Sequence, residues 1–180
     1  MLDKGLHVSF SNCSLPFRLS GTVDSTGKLV MMTPQAFAAR YRIGARVNSE
    51  AVAIDRDSRT VRVRNLTDGT EYDESYDKLI LSPGARAIVP PIPGIDQADV
   101  FTLKTVTDVD RLHTFLTERG VTRVSVVGGG FIGVEAAVNL VEVGYQVSLV
   151  EAAPQILNTF DQDMVQILHK ALLDHGVNLI

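Results

Sequence analysis

The sequence predicts a three-layer α/β fold that carries a small antiparallel β-meander. Three observations predict it. Val124 to Val127, all small or β-branched, run straight into a glycine-rich turn and a helical pattern. A second apolar run, Gln146 to Val150, follows that helix, giving the strand–helix–strand order of a parallel sheet. Between Arg46 and Ser75 the pattern changes to alternation broken by polar turns, which marks antiparallel strands.

The glycine turn is Gly128-Gly129-Gly130-Phe131-Ile132-Gly133, with Gly128, Gly130 and Gly133 in Gly-x-Gly-x-x-Gly spacing. Gly128 permits the tight turn, Gly130 leaves the backbone open to a pyrophosphate, and Gly133 lets the helix pack close to the strand. The free N–H groups of the helix's first turn face the phosphates, helped by the helix dipole. The helix is expected from Phe131 to Val143, with Gly144 as its left-handed stop. Glu151 ends the second strand about twenty residues past the glycines, where an acidic side chain grips a ribose hydroxyl pair. Ala152-Ala153-Pro154 follows, with no Arg or Lys to meet a 2′-phosphate, so NADH is favoured over NADPH. The alternative is a strand-to-helix turn with no ligand; the joint fit of strand, turn, helix, strand and acid argues against it.

Upstream, Ser11 or Asn12 is expected to cap a short helix, with Pro16 tolerated in its first turn. Cys13 then lies near a helix N-terminus, where a dipole lowers a thiol pKa; local sequence alone leaves a buried structural cysteine as the commoner alternative. Gly21 to Gly27 is expected to be a loop. Thr33-Pro34 starts a helix that carries Phe37 and Tyr41 on one face. Arg40 and Arg42 lie elsewhere on it or just past its end, as a solvated face or a hold for an anionic ligand. Arg46 to Ile54, Thr60 to Leu66 and Glu71 to Ser75 are the meander strands. Tyr76 to Ala85 has an apolar core without alternation, which predicts a strand buried on both faces. Ala87 to Gly94, with Pro90, Pro91 and Pro93, reads as a stiff connection.

Thr107 is expected to cap a helix from Asp108 to Arg119, stopped by Gly120. Asp161 caps a last helix to about His175, with Met164, Ile167, Leu168, Ala171 and Leu172 as its apolar face and Gly176 as its end. Val177 to Ile180 begins a third strand. His7, His113, His169 and His175 show no metal-ligand spacing, and His169 and His175 are expected at the surface.

The bulk numbers exclude several classes. The chain has 180 residues, 45% of them hydrophobic and 21% charged, with a net charge of −4. Interspersed charge of this sign gives no basic face for nucleic acid. No apolar run is long enough to span a membrane, and Met1 to Gly5 is not expected to be a signal peptide, since no apolar stretch precedes a small-residue cleavage site. One cysteine makes no internal disulfide, so a reducing cytoplasm is the expected compartment.

Together these pieces resemble a family. His7 to Phe17 resembles the redox-cysteine segment of the single-cysteine, FAD-dependent pyridine nucleotide-disulfide oxidoreductases. Val47 to Asp55 and Tyr76 to Ala85 are similar to that family's FAD-domain strands, and the glycine motif and Phe160 to Met164 to its NADH domain. The coenzyme A-disulfide reductase branch is most similar, with NADH oxidases and peroxidases as near relatives.

The resemblance implies parts of two Rossmann-like domains: residues 1–105 as a partial FAD domain with the redox cysteine and meander, and 106–180 as the first half of an inserted NAD(P)H domain. It implies hydride passing from NADH through FAD to Cys13, which alternates between thiolate and a mixed disulfide with coenzyme A, or a sulfenic acid in the peroxidase branch. Asp3, Val52, Ser82, Pro83, Gly84, Gly128, Gly130, Phe131, Ile132, Gly133, Glu135 and Glu151 become expected cofactor contacts. Ser9, Asn12 and Arg40 become expected substrate contacts, with coenzyme A disulfide or another small disulfide or peroxide as substrate. Tyr41 stands where a family lysine is expected, Ser14 where glycine is commoner, and Phe17 where tyrosine is. The family opens with its own glycine motif for FAD, about thirty residues upstream of this chain's start. A second FAD segment and a dimerisation domain are expected beyond residue 180, so the parent is expected to be a homodimer and this chain alone a fragment that binds NADH without turnover.

Overall fold

The computed structural model describes residues 1–97 and 99–180. These divide into two units, residues 1–11 with 30–86 and residues 12–29 with 87–180.

The first unit is built on the meander. β1 (Ser49–Asp55), β2 (Thr60–Asn65) and β3 (Glu71–Ser75) form an antiparallel sheet in that order. Alternation along β2 decides its faces: Val61 and Val63 are buried, Arg62 and Arg64 exposed. Across the exposed face Arg62 pairs with Asp73 at 3.0 Å and Arg64 with Glu71 at 2.8 Å. Such exposed pairs add little stability. They agree with the register that burial sets, because a one-residue slip would turn both valines to solvent.

β1 starts at Ser49, later than the expected Arg46, because Asn48 takes a left-handed φ of 50° that its short polar side chain tolerates. Its alternation also breaks at a register shift between Ala51 and Ala53, a bulge at Val52. Leu2 bridges Arg46, and Phe10 bridges Val30. α1 (Leu15–Leu19) belongs to the second unit. α2 (Pro34–Tyr41) starts as expected, with the Ala36 N–H donating to Thr33 Oγ1 at 3.2 Å and Pro34 in the first turn.

The expected strand at Tyr76 to Ala85 is not there. The segment is irregular, and Ile80 and Leu81 are 88% and 67% exposed. A strand buried on both faces is held by ladder bonds to neighbours and by packing above and below. Among the described residues no strand runs beside this one to supply either. Ser82, Pro83 and Gly84 therefore lie exposed in irregular chain rather than at a strand's end.

The second unit holds the parallel sheet. β4 (Arg123–Val127), β5 (Gln146–Val150) and β6 (Asn178–Leu179) pair in that order. α4 (Phe131–Glu142) joins β4 to β5 and buries Val134, Ala136, Ala137 and Leu140, while β5 buries Val147 and Leu149. Each large aliphatic chain so buried contributes about 1.5–3 kcal/mol.

α3 (Val106–Glu118) begins two residues before expectation. The Asp108 N–H donates to Thr105 Oγ1 at 3.2 Å, and the Thr105 N–H donates to Asp108 Oδ2 at 2.9 Å, a reciprocal capping box. The corresponding box from Thr107 needs Asp110, whose two oxygens instead accept from Thr26 Oγ1 at 2.8 and 2.6 Å. Thr26 itself lies in a 3₁₀ turn, Thr26–Lys28, at the end of the expected loop.

α1 packs against α3 and α4. Ser20, just past its end, donates to Asn139 Oδ1 at 2.6 Å, and Asn139 Nδ2 donates to the Glu135 carbonyl at 2.8 Å. Asn139 is 3% exposed, so these bonds satisfy a polar group water cannot reach.

α5 (Gln162–Asp174) follows Asp161 as expected, but its inward stripe is turned. Val165 and Leu172 are buried, while Met164 and Ile167 are exposed. A shift of one residue moves a helical stripe by about 100°, and Val165, Leu168 and Leu172 keep helical spacing on the rotated face. His169 shares that stripe and is half-buried, contrary to expectation, with Nε2 lacking a partner among the described residues. His175 is exposed, as expected.

Candidate nucleotide site and redox cysteine

The candidate site grows from the end of β4. The Gly128 N–H donates to the Val150 carbonyl at 2.8 Å, which carries the β4–β5 ladder one residue beyond the strand. Gly128 then turns with φ 107°, a conformation that side chains disfavour. A Cβ at Gly133 would lie 1.9 Å from the Gly128 carbonyl oxygen, so the helix approaches the turn as closely as only glycine allows. Gly130 caps α4 with no side-chain hydrogen bond to its first turn, and the Val134 N–H donates to the Gly130 carbonyl as the first helical bond.

The N–H groups ahead of Val134 have no intrahelical acceptors. A Cβ at Gly130 would meet nothing within 4 Å. An open backbone and an uncapped helix start form a cradle that suits a pyrophosphate, so these residues fit a dinucleotide.

Glu151 closes the turn from the tip of β5. The Gly129 N–H donates to Glu151 Oε2 at 2.6 Å and the Ala153 N–H donates to Oε1 at 2.8 Å. The Ala153 and Gly129 amides hold the Glu151 carboxyl below its ordinary pKa, against a smaller opposing effect of burial. The ionised carboxylate retains lone pairs after accepting both bonds. Phe131 and Ile132 are exposed on the first turn of α4, with Phe160 edge-on to Phe131 at 5.9 Å. The Glu135 side chain is exposed one turn along.

Sequence reasoning missed Gly129, which the motif treats as a free position. It is buried, and a Cβ on it would come 2.6 Å from Ile156 Cγ2 and 3.2 Å from the Glu151 Cβ. Three glycines in a row were the signal that could have found it.

Cys13 lies in a 3₁₀ turn, Asn12–Ser14, directly before α1, and is exposed. The alternative of a buried structural cysteine is excluded. Asn12 beside it is also exposed. Ser9 and Arg40 belong to the first unit: the Ser9 carbonyl accepts from the Met31 N–H at 3.0 Å, and exposed Arg40 stands 5.4 Å from the Tyr41 ring centroid.

The expected FAD contacts of the first unit lie on separate stretches of its chain. The Asp3 Oδ1 accepts from the Gly5 N–H at 2.7 Å, and Val52 lies at the bulge of β1. Ser82, Pro83 and Gly84 lie in exposed irregular chain. Two open cavities of about 500 and 180 Å³ lie along α3 and the segment before it, lined in part by Phe101 and Arg111, and include none of these residues.

A family model described as pyridine nucleotide-disulphide oxidoreductase matches residues 3–180. An NADH oxidase of Methanocaldococcus jannaschii is 34% identical over 182 residues, covering 100% of this chain and 40% of that protein. A coenzyme A disulfide reductase of Staphylococcus aureus is 34% identical over 166 residues, covering 92% of this chain and 37% of that protein. The crystal structure of reduced Bacillus anthracis CoADR-RHD superposes with a TM-score of 0.97 at 40% identity, covering 100% of this chain and 32% of that one. The chain thus spans about two fifths of the length of the curated relatives it matches. The mixed α/β architecture, the glycine turn and the family match over residues 3–180 lead to one conclusion: the chain belongs to the pyridine nucleotide-disulphide oxidoreductase family.

Proposed function

We propose that this chain is the central portion of an NADH-dependent flavoprotein disulfide reductase, with Cys13 as its redox centre and coenzyme A disulfide as the kind of disulfide it takes. The observation that carries the reading is the glycine turn, open at Gly130 and uncapped at the start of α4. By function, residues 106–180 belong to the NADH side and residues 1–105 to the flavin and sulfur side. Asp3, Val52, Ser82, Pro83 and Gly84 are this chain's share of a flavin site completed by polypeptide outside it. FAD would supply two-electron transfer between nicotinamide and sulfur in the whole protein.

The chain's own residues divide the work. Gly128, Gly130 and Gly133 let the pyrophosphate reach backbone N–H groups, and Phe131, Ile132 and Glu135 border that approach. Glu151 accepts from a ribose hydroxyl with its remaining lone pairs. No cation follows it to favour a 2′-phosphate, which supports NADH over NADPH.

At Cys13 the thiolate attacks one sulfur of the disulfide. The substrate S–S bond breaks, a mixed disulfide forms, and one thiolate leaves. Two electrons originating in NADH then cleave the mixed disulfide, and a solvent proton completes the second thiol. The sum is NADH + H⁺ + RSSR → NAD⁺ + 2 RSH. Exposure of Cys13 supports this, because an attacking thiolate needs access. Ser9 and Asn12 flank the sulfur in sequence, and Arg40 supplies positive charge for a phosphate. Reduced thiol chemistry suits a cytoplasmic setting.

A second reading, NADH oxidase or peroxidase with Cys13 cycling through a sulfenic acid, is favoured by Tyr41. That residue replaces the lysine expected for holding coenzyme A phosphates. Cys13→Ser in the whole protein tests both. It should abolish thiol release from coenzyme A disulfide while leaving flavin absorbance that NADH bleaches. Undiminished thiol release would remove Cys13 from the mechanism, and in the wild-type whole protein NADH-dependent water formation without thiol release from coenzyme A disulfide would favour the second reading.

A further inference from the structure

Residues 151–160 fold back over the glycine turn and touch it at several points. The Gly129 N–H donates to Glu151 Oε2 at 2.6 Å, and the Leu157 N–H donates to the Gly129 carbonyl at 2.8 Å. Both ends of one residue's backbone are thus tied to the same loop. Ile156 is 3% exposed and covers Gly129 so closely that a Cβ there would lie 2.6 Å from its Cγ2.

The loop is braced in turn. The Phe160 N–H donates to the Leu157 carbonyl at 2.9 Å, and Gln155 Nε2 donates to the Phe160 carbonyl at 2.9 Å. Leu157 holds a left-handed φ of 45°, a conformation uncommon for a branched side chain that persists only where its surroundings enforce it. That strained residue is the one whose N–H reaches Gly129.

We propose that Ile156 and Leu157 are positioning residues for the nucleotide, clamping the Gly129 peptide so that the Gly130 end of the cradle is set before any ligand arrives. The proposal rests on the nucleotide reading of the turn. The Gly129–Gly130 peptide is trans and planar, so fixing its carbonyl on Leu157 directs the Gly130 N–H to the opposite side, away from the loop. Without the clamp the peptide is free to rotate and turn a carbonyl oxygen toward the phosphates, where it repels them. A preset site avoids the ordering cost at binding.

The test uses the full chain and a steric rescue. Gly129 does not require a left-handed backbone, so alanine there is limited by its neighbours, Ile156 first. Gly129→Ala should weaken NADH about tenfold in calorimetric titration, equivalent to roughly 1.4 kcal/mol. It should also speed hydrogen exchange of the Leu157 amide in the ligand-free chain. Adding Ile156→Ala removes the 2.6 Å contact with Cγ2, leaves the residue 156 Cβ at 3.0 Å, and should restore part of both the affinity and the amide protection. Circular dichroism establishes that each variant is folded. A folded Gly129→Ala chain with wild-type affinity, or a double variant with no recovery, overturns the clamp alone. A wild-type chain that binds no NADH overturns the nucleotide reading and the clamp with it.

Discussion

Glu151 joins the structure of the turn to the proposed ligand preference. The Ala153 and Gly129 amides stabilise its charged form, so its folded pKa is lowered. A carboxyl with a lowered folded pKa stabilises the folded state above its unfolded pKa, and that contribution is lost as pH falls through the folded value. NAD⁺ affinity should therefore stay level from neutral pH down to about 5 and fall only below the ordinary glutamate range. Titration calorimetry across that window checks it, and Glu151→Gln should remove the acid-side fall. Gly133 makes a second prediction. Its missing Cβ would overlap the Gly128 carbonyl at 1.9 Å. Gly133→Ala should cost about 1–3 kcal/mol or more in urea unfolding, and an unchanged midpoint would mean that α4 does not approach the turn this closely. At this scale the spacing of Gly128, Gly130 and Gly133 was legible, because each meets a local demand of the turn. Gly129 was not, because its constraint comes from Ile156, distant in sequence and brought over it only by the fold.

Elements were legible where their signals are local. Thr33 with Pro34 marks the start of α2, and alternation marks β2. Tyr76 to Ala85 was misread for the opposite reason: an apolar run becomes a strand only where neighbours pair with it, and no described strand does so. The stripe of α5 was misplaced by one residue because Met164 and Val165 are equally apolar, and only packing decides between them. The choice of Thr105 over Thr107 as cap likewise depended on Thr26 engaging Asp110. Asn139, in the middle of α4, illustrates what an element gains from a buried polar contact. It accepts from Ser20 at 2.6 Å while donating to the Glu135 carbonyl. Asn139→Ala leaves the Ser20 hydroxyl without this acceptor and should cost about 1–3 kcal/mol by thermal or urea unfolding. Ser20→Ala combined with it should add little more, since both remove one interaction. Full additivity would mean that the two side chains act independently.

For the whole molecule, the family assignment and the activity stand on different ground. Membership follows from a match over residues 3–180. Activity belongs to proteins whose lengths this chain spans only in part. The candidate nucleotide cradle lies within one segment, residues 128–157, whereas the expected flavin contacts, Asp3, Val52 and residues 82–84, come from stretches far apart in sequence. The cradle was legible from sequence because one strand–turn–helix–strand segment contains nearly all of it. The expected flavin contacts came only through the family resemblance, because they lie on chain segments far apart in sequence.

The most direct measurement is therefore a calorimetric titration of the full chain with NADH and NADPH, beside its Gly130→Val variant. NADH binding should be saturable, NADPH binding weaker, and both lost when a branched side chain fills the space above Gly130. No NADH binding by the wild-type chain, or undiminished binding by Gly130→Val, would contradict the nucleotide reading of the turn.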